Sequence, residues 1–186
     1  MEKKLDLRVI KTRAALTDAL YKLMCEKSLN EITVTELCDR AVIRKATFYK
    51  HFGDKTELLV YMIQELMRLS EENNDIGYDP ADPASYYAGT FRYLVEFIDS
   101  NDRFVRNVLR SDSGAYVCGI LEEQIHRQVD ERLRQEERED VRESHAMLSA
   151  IYAGAIVSCG SWWAKQEGRP EKETVIRQFT EFISRL

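Results

Sequence analysis

The chain has 186 residues, 44% hydrophobic and 32% charged, with a formal net charge of −5. That length suits one or two domains with a sizeable core, and 8 Gly with 3 Pro speak against a loop-rich all-β architecture and for long helices. Residues 1–53 hold 11 Lys and Arg against 7 Asp and Glu, a net of +4, whereas residues 54–186 hold 16 against 25, a net of −9, so a polyanionic partner suits the front alone.

The opening stretch MEKKLDLRVIK is charged and has no apolar signal core, which does not read as a secretory leader. Val9, Leu16, Leu20 and Leu23 follow at intervals of 7, 4 and 3, and this stripe predicts a first helix over about Leu7–Lys27. SLNEI breaks it. Thr33-Val34-Thr35-Glu36 then reads as a capping box, with the Thr33 hydroxyl accepting from the Glu36 N–H and the Glu36 carboxylate reaching back. A short second helix starts there, with Val34, Leu37 and Ala41 inward. After the link AVIR, a third helix is expected over about Arg44–His51, with Phe48 and Phe52 on its apolar side and Ala46, Thr47 and Lys50 opposite. Asp54, with Glu57 three residues on, caps a fourth helix carrying Leu58, Met62, Leu66 and Leu69 and ending near Glu72.

NNDIGYDPADP is the clearest linker. Beyond it, Tyr87, Phe91, Leu94 and Ile98 describe a helix; SND starts another that buries Phe104, Val108 and Leu109. Val117, Leu121 and Ile125 belong to a long charged helix running towards Gln135. Ala146 to Ala164 then carry no charge for 19 residues. The run approaches a membrane span in length, but its Ala, Ser and Gly content reads as a helix buried on all sides, one side covered by another subunit. Ala150, Gly154 and Ser158 recur every four positions and permit close helix approach. Val175, Phe179, Phe182 and Leu186 mark a last helix. The whole reads as all-α, roughly nine helices and no sheet.

Cys25, Cys38, Cys118 and Cys159 are scattered without a CxxC pair and read as reduced core cysteines, not metal ligands. No Gly-rich phosphate loop, GxSxG or HExxH occurs, so neither an enzyme nor a cofactor is indicated. Two short helices joined by a tight link, the second presenting short and basic groups, describe a helix-turn-helix over about residues 33–52, a shape suited to the major groove.

ITVTELCDRAVIRKATFYKHFGDKTELL, Ile32 to Leu59, closely resembles the DNA-binding region of the TetR/AcrR family of transcriptional regulators. The shared features are the Ala-x-Ile turn, Thr47-Phe48-Tyr49, His51-Phe52, Lys55 and Leu58. TRAALTDALYKLMCEKSLNEITV is similar to the family's first helix, and IYAGAIVSCGSWWAKQEG to its penultimate one. The resemblance is specific over about Leu7 to Arg68. Val42 stands where many members have a turn glycine, and a β-branched residue is poor at positive φ, so a turn built without that conformation is expected. Ser28 replaces another common glycine.

The resemblance implies a helix-turn-helix DNA-binding domain over residues 7–70 and a helical ligand-binding and dimerisation domain over 71–186. It implies a cytoplasmic homodimeric repressor that binds a double-stranded DNA operator. Carried over by position, Thr33, Thr35, Arg44, Lys45, Thr47, Tyr49, Lys50, His51 and Lys55 are the DNA contacts, Lys45 and Thr47 at base edges and Tyr49, His51 and Lys55 at phosphates. Members often enclose a small-molecule pocket. Here the rear aromatics suggest a small apolar ligand, neutral or cationic, met by Tyr61, Met62, Tyr87, Phe91, Phe104, Tyr116, Cys118 and His126. The alternative is a TetR-like co-activator that acts through protein contacts without an inducer pocket.

Overall fold

A computed structural model of the chain describes residues 7–73, 84–135 and 145–185; the linker read at NNDIGYDPADP lies, after its first residue, outside them. Among the described residues there are nine α-helices, one 3-10 turn and no strand. The chain divides into two compact units, one of Met1–Asn73 with Arg106–Gly114, the other of Asn74–Val105 with Ala115–Leu186.

The first unit is built on α1 (Leu7–Glu26). Leu16, Ala19, Leu20, Leu23 and Met24 are fully buried, a helical stripe that packs α1 onto α2 (Val34–Ala41) and α4 (Lys55–Asn73),. Between α1 and α2 runs the 3-10 turn Leu29–Glu31. Its start is capped by Ser28, whose N–H and hydroxyl both donate to the Glu31 carboxylate at 2.9 Å. These two hydrogen bonds hold the Glu31 carboxyl below the usual carboxylate range. Two distant segments converge on this turn and the end of α1 before it. The Lys55 ammonium, at the start of α4, donates to the carbonyls of Leu29, Asn30 and Ile32 at 2.6, 3.2 and 2.7 Å. The Asn30 amide donates to Asp112 at 2.7 Å, and the Asp112 N–H returns to Asn30 Oδ1 at 3.2 Å. Asn107, on α6 (Asp102–Arg110), donates to the Met24 carbonyl at 2.7 Å, satisfying one of the last carbonyls of α1,. These bonds bind Arg106–Gly114 into the first unit.

The second unit is organised by α5 (Ala84–Ser100), which packs on α8 (His145–Lys165) and α9 (Lys172–Ile183). Tyr87, Phe91, Val95 and Ile98 form its buried face. Leu94, expected inside, is half-buried while Val95 takes the core position, and on α6 Leu109 is half-buried beside buried Phe104 and Val108. Tyr87 stacks on Tyr152 and Phe91 on Phe179, each at 3.9 Å between centroids, pairs worth roughly 0.5–1.5 kcal/mol each beyond their buried area. Gly160 allows α5 and α8 to approach closely: a Cβ there would lie 2.7 Å from Leu94 Cδ2. The link from α8 to α9 folds back through Arg169, whose guanidinium lies 4.1 Å over the Trp163 ring and bonds Asp102 and Asp99 at 2.8 and 3.0 Å. The Trp163 N–H meanwhile donates to the Pro170 carbonyl at 2.9 Å.

By length and composition α8 is the one described helix able to cross a membrane. In the fold Ser149, Tyr152, Ala153, Ile156, Val157, Gly160, Trp163 and Ala164 are buried, while Met147, Ile151 and Trp162 stay exposed, as does Phe182 on α9. Apolar on both faces, α8 is covered on only one of them by its own unit.

Candidate nucleic-acid interface

The interface is assembled from α2, a tight turn and α3 (Lys45–His51). Thr33 caps α2, its hydroxyl accepting from the Glu36 N–H at 3.2 Å. The second half of the expected box is displaced. The Glu36 carboxylate goes chiefly to the Lys27 ammonium at 2.8 Å, which holds its carboxyl below the usual range, with only a minor contribution from the Thr33 backbone. An ion pair is the stronger partner where a lysine lies within reach. A similar shift occurs at α4. Asp54 Oδ1 accepts from the N–H groups of Thr56 and Glu57 at 2.7 and 2.8 Å, while Glu57 reaches past it to the Gly53 N–H at 2.6 Å.

The turn corrects one expectation. Val42, the C-cap of α2, has φ 56 and ψ 42, in the left-handed region, so the turn does use positive φ. The reason is the shortness of the link. The carbonyls of Asp39 and Cys38 take the N–H groups of Val42 and Ile43 at 3.2 and 2.9 Å, a reversal that closes a helix in so few residues only through a left-handed C-cap.

Past the turn, Arg44 is the extended N-cap of α3 and its carbonyl accepts from Thr47 and Phe48. Phe48 and Phe52 are buried, and the Phe52 ring lies tilted against Tyr61 at 5.4 Å between centroids, with the Arg13 guanidinium 4.9 Å over the Tyr61 ring. These rings fix the roll of α3. The opposite side then presents Arg44, Lys45, Ala46, Tyr49 and Lys50, all exposed, with Thr47 and His51 half-buried. Thr33 and Thr35 are exposed at the start of α2.

The charges on these helices are only partly matched. Lys22 pairs with Asp18, Lys27 with Glu36 and Arg40 with Glu26, whereas Lys11, exposed on α1, forms no ion pair among the described residues. Among the described residues, Arg44, Lys45 and Lys50 form no ion pair. Lys55 is set apart from them, because its ammonium is engaged by three carbonyls instead of facing outward.

The residues expected to meet a ligand are divided. Tyr61 and Met62 belong to α4 in the first unit, where Tyr61 is held by Phe52 and Arg13. Tyr87, Phe91 and Phe104 are core residues of the second unit. On α7 (Gly114–Gln135), Tyr116 is 60% exposed, Cys118 lies 3.5 Å from the Ser161 hydroxyl, and His126 Nε2 lies 3.1 Å from the fully buried Ser149 hydroxyl. Ser149 and Ser161, missed in the sequence because a serine in an apolar run gives no periodic signal, supply the polar partners. Cys159, nearby on α8, is raised in pKa by burial, as is Cys38 in the first unit, where burial outweighs the opposing pull of Lys45.

Two family models match. One, bacterial regulatory proteins of the tetR family, covers residues 16–62; the other, a transcriptional regulator C-terminal region, covers residues 87–185, more than half of the chain. An uncharacterised helix-turn-helix-type regulator of Bacillus subtilis, YxbF, is 44% identical over 64 residues, 34% of this chain and 17% of its own length. A second such regulator, from Haemophilus influenzae, is 35% identical over 112 residues, 56% of this chain and 52% of its own. The chain thus spans about half or less of the curated relatives it matches. Among solved structures, the dihydroxyacetone kinase operon activator DhaS superposes with a TM-score of 0.67 at 18% identity, covering 92% of this chain and 93% of that one. NalD, the secondary repressor of the MexAB-OprM multidrug efflux pump in Pseudomonas aeruginosa, gives 0.66 at 16%, covering 94% and 96%.

Proposed function

The chain belongs to the TetR family of transcriptional regulators, and from that membership we propose that it is a sequence-specific DNA-binding repressor, released from its operator by a small-molecule ligand. The observation that carries the DNA-binding part is the cluster of cations on α3. Arg44, Lys45 and Lys50, at the start and along the outer side of that helix, are exposed and form no ion pair among the described residues. Polyanion binding draws on such unpaired charge through counterion release.

In this reading residues 7–70 bind DNA and residues 71–186 dimerise and receive the ligand. Lys45 and Thr47 meet base edges, because short or hydrogen-bonding groups near the N-terminus of a recognition helix reach the groove floor. Arg44, Tyr49, Lys50 and His51 meet the backbone, with Thr33 and Thr35 at the start of α2 beside it. Lys55 supports the same surface from within by holding the 3-10 turn. The uncovered apolar faces of α8 and α9 pair with their copies around a two-fold axis, which sets two recognition helices on a near-palindromic site. A ligand taken up among the rings of the second unit, with the His126–Ser149 and Cys118–Ser161 pairs as polar partners, favours a dimer geometry that misses adjacent grooves. A differential affinity of roughly 10⁴-fold switches the population almost fully.

The test is retardation of genomic fragments at low salt, followed by titration of the shifted complex with a compound library. One or more fragments are expected to shift in a salt-sensitive way. No shift at any fragment means that the chain is not a DNA-binding regulator.

A further inference from the structure

Val42 combines strain with exposure, and nothing inside the fold offsets either. Its φ of 56 and ψ of 42 belong to the region that glycine enters freely and a β-branched residue avoids,. The residue is 91% exposed, so no packing compensates the strain. The hydrogen bonds that close α2 come from the backbone N–H groups of Val42 and Ile43, and a glycine would make them equally well. The short link requires the positive φ but not a valine, and a β-branched side chain kept there points to a constraint on that side chain from outside the fold. The constraint has an address: Val42 is two residues before Arg44, the N-cap of α3, in the turn that leads into the exposed Lys45 and Ala46.

We propose that Val42 is a sequence-reading residue whose isopropyl group packs against the C5-methyl of a thymine in the major groove. The inference rests on the DNA-binding reading above. A valine cannot hydrogen-bond to a base edge or a phosphate, and the thymine methyl is the apolar group that base edges offer in that groove. Burying one methyl-sized group on another is worth about fourfold in affinity. Glycine would leave the methyl uncovered.

The experiment uses the full chain. Wild type is used to select its preferred duplex from a randomised pool. Wild type, Val42→Gly and Val42→Ala are then titrated against that duplex and against versions in which each thymine in turn is replaced by deoxyuridine, which removes the methyl alone. For wild type, one thymine per half-site is expected to cost about fourfold on replacement, and that cost is expected to vanish in both variants. Val42→Gly should also melt at a higher temperature than wild type, and Val42→Ala, which keeps a β-carbon at positive φ, should not. Variants that retain the wild-type deoxyuridine profile would overturn the proposal while leaving the DNA-binding reading intact. So would a loss of affinity in Val42→Gly that Val42→Ala does not share, since that assigns the effect to turn rigidity. A wild type that selects no duplex overturns both.

Discussion

Replacing Lys55 with methionine separates two roles that a lysine at this position can have. Methionine keeps most of the aliphatic stem and removes the ammonium, which donates to three carbonyls, two of them at 2.6 and 2.7 Å. Hydrogen bonds from a charged donor contribute roughly 1.5–3 kcal/mol each. Water can replace part of this at the exposed Asn30 carbonyl, where the bond is also longest. The net loss should be about 2–4 kcal/mol, a fall in melting temperature of roughly 4–16 °C for a chain of this size. Lys50→Met, at an exposed and unpaired lysine, is the control and should change stability by less than about 0.5 kcal/mol. Denaturation followed by circular dichroism gives both values. Duplex titration over a salt series, at protein concentrations corrected for the folded fraction, gives the second readout. Lys55→Met should leave the salt slope unchanged, whereas Lys50→Met should reduce it by about one. Wild-type stability in Lys55→Met together with a slope reduced by one would mean that the ammonium leaves the carbonyls for a phosphate, and the role given to it here would be wrong.

Other outcomes follow from the same geometry. Ile151→Arg with Phe182→Arg should convert a dimeric sedimentation mass to a monomeric one with far-ultraviolet circular dichroism unchanged, because both side chains are exposed within the unit. Gly160→Val should destabilise the chain by about 1–3 kcal/mol in thermal melts, since a Cβ there meets Leu94 Cδ2 at 2.7 Å. Glu31 and Glu36 have folded pKa values depressed by Ser28 and Lys27 respectively. Their stabilising contribution is therefore complete above the ordinary value of 4.5 and lost as pH falls through the depressed values. Denaturation midpoints of Glu31→Gln with Glu36→Gln should accordingly vary less with pH below that point than those of wild type.

Helix order was legible because it depends on local periodicity: α1, α3 and α8 begin and end within about one residue of the limits that apolar spacing and charge suggest. Capping residues were legible for the same reason, and Thr33 and Asp54 cap as their side chains dictate. The carboxylates three residues on were less so. Where Glu36 points depends on Lys27, nine residues away, which a local motif does not include. Val42 shows a rule of propensity overridden by closure of a short link. Lys55 shows a family position whose free-state partners are backbone carbonyls, invisible to any side-chain pattern. The stacks of Tyr87 on Tyr152 and Phe91 on Phe179 join residues dozens of positions apart; their burial could be read from spacing, their pairing could not.

The convergence on Leu29–Glu31 also constrains the order in which the protein can be made. Asn30 and the end of α1 bond to Asp112 and Asn107, which are synthesised well after α4 ends at Asn73. At about 5–20 residues per second, the roughly 40 residues from Asn73 to Gly114 take about 2–8 s. During that interval the helix-turn-helix has all its own residues but lacks the segment that completes its unit, and the Met24 carbonyl and the Asn30 side chain must be met by water. A nascent chain paused just beyond Asn73 should therefore hold its recognition helix less firmly than the finished protein, and DNA-binding competence should emerge on the ribosome only after Gly114 is free to fold back.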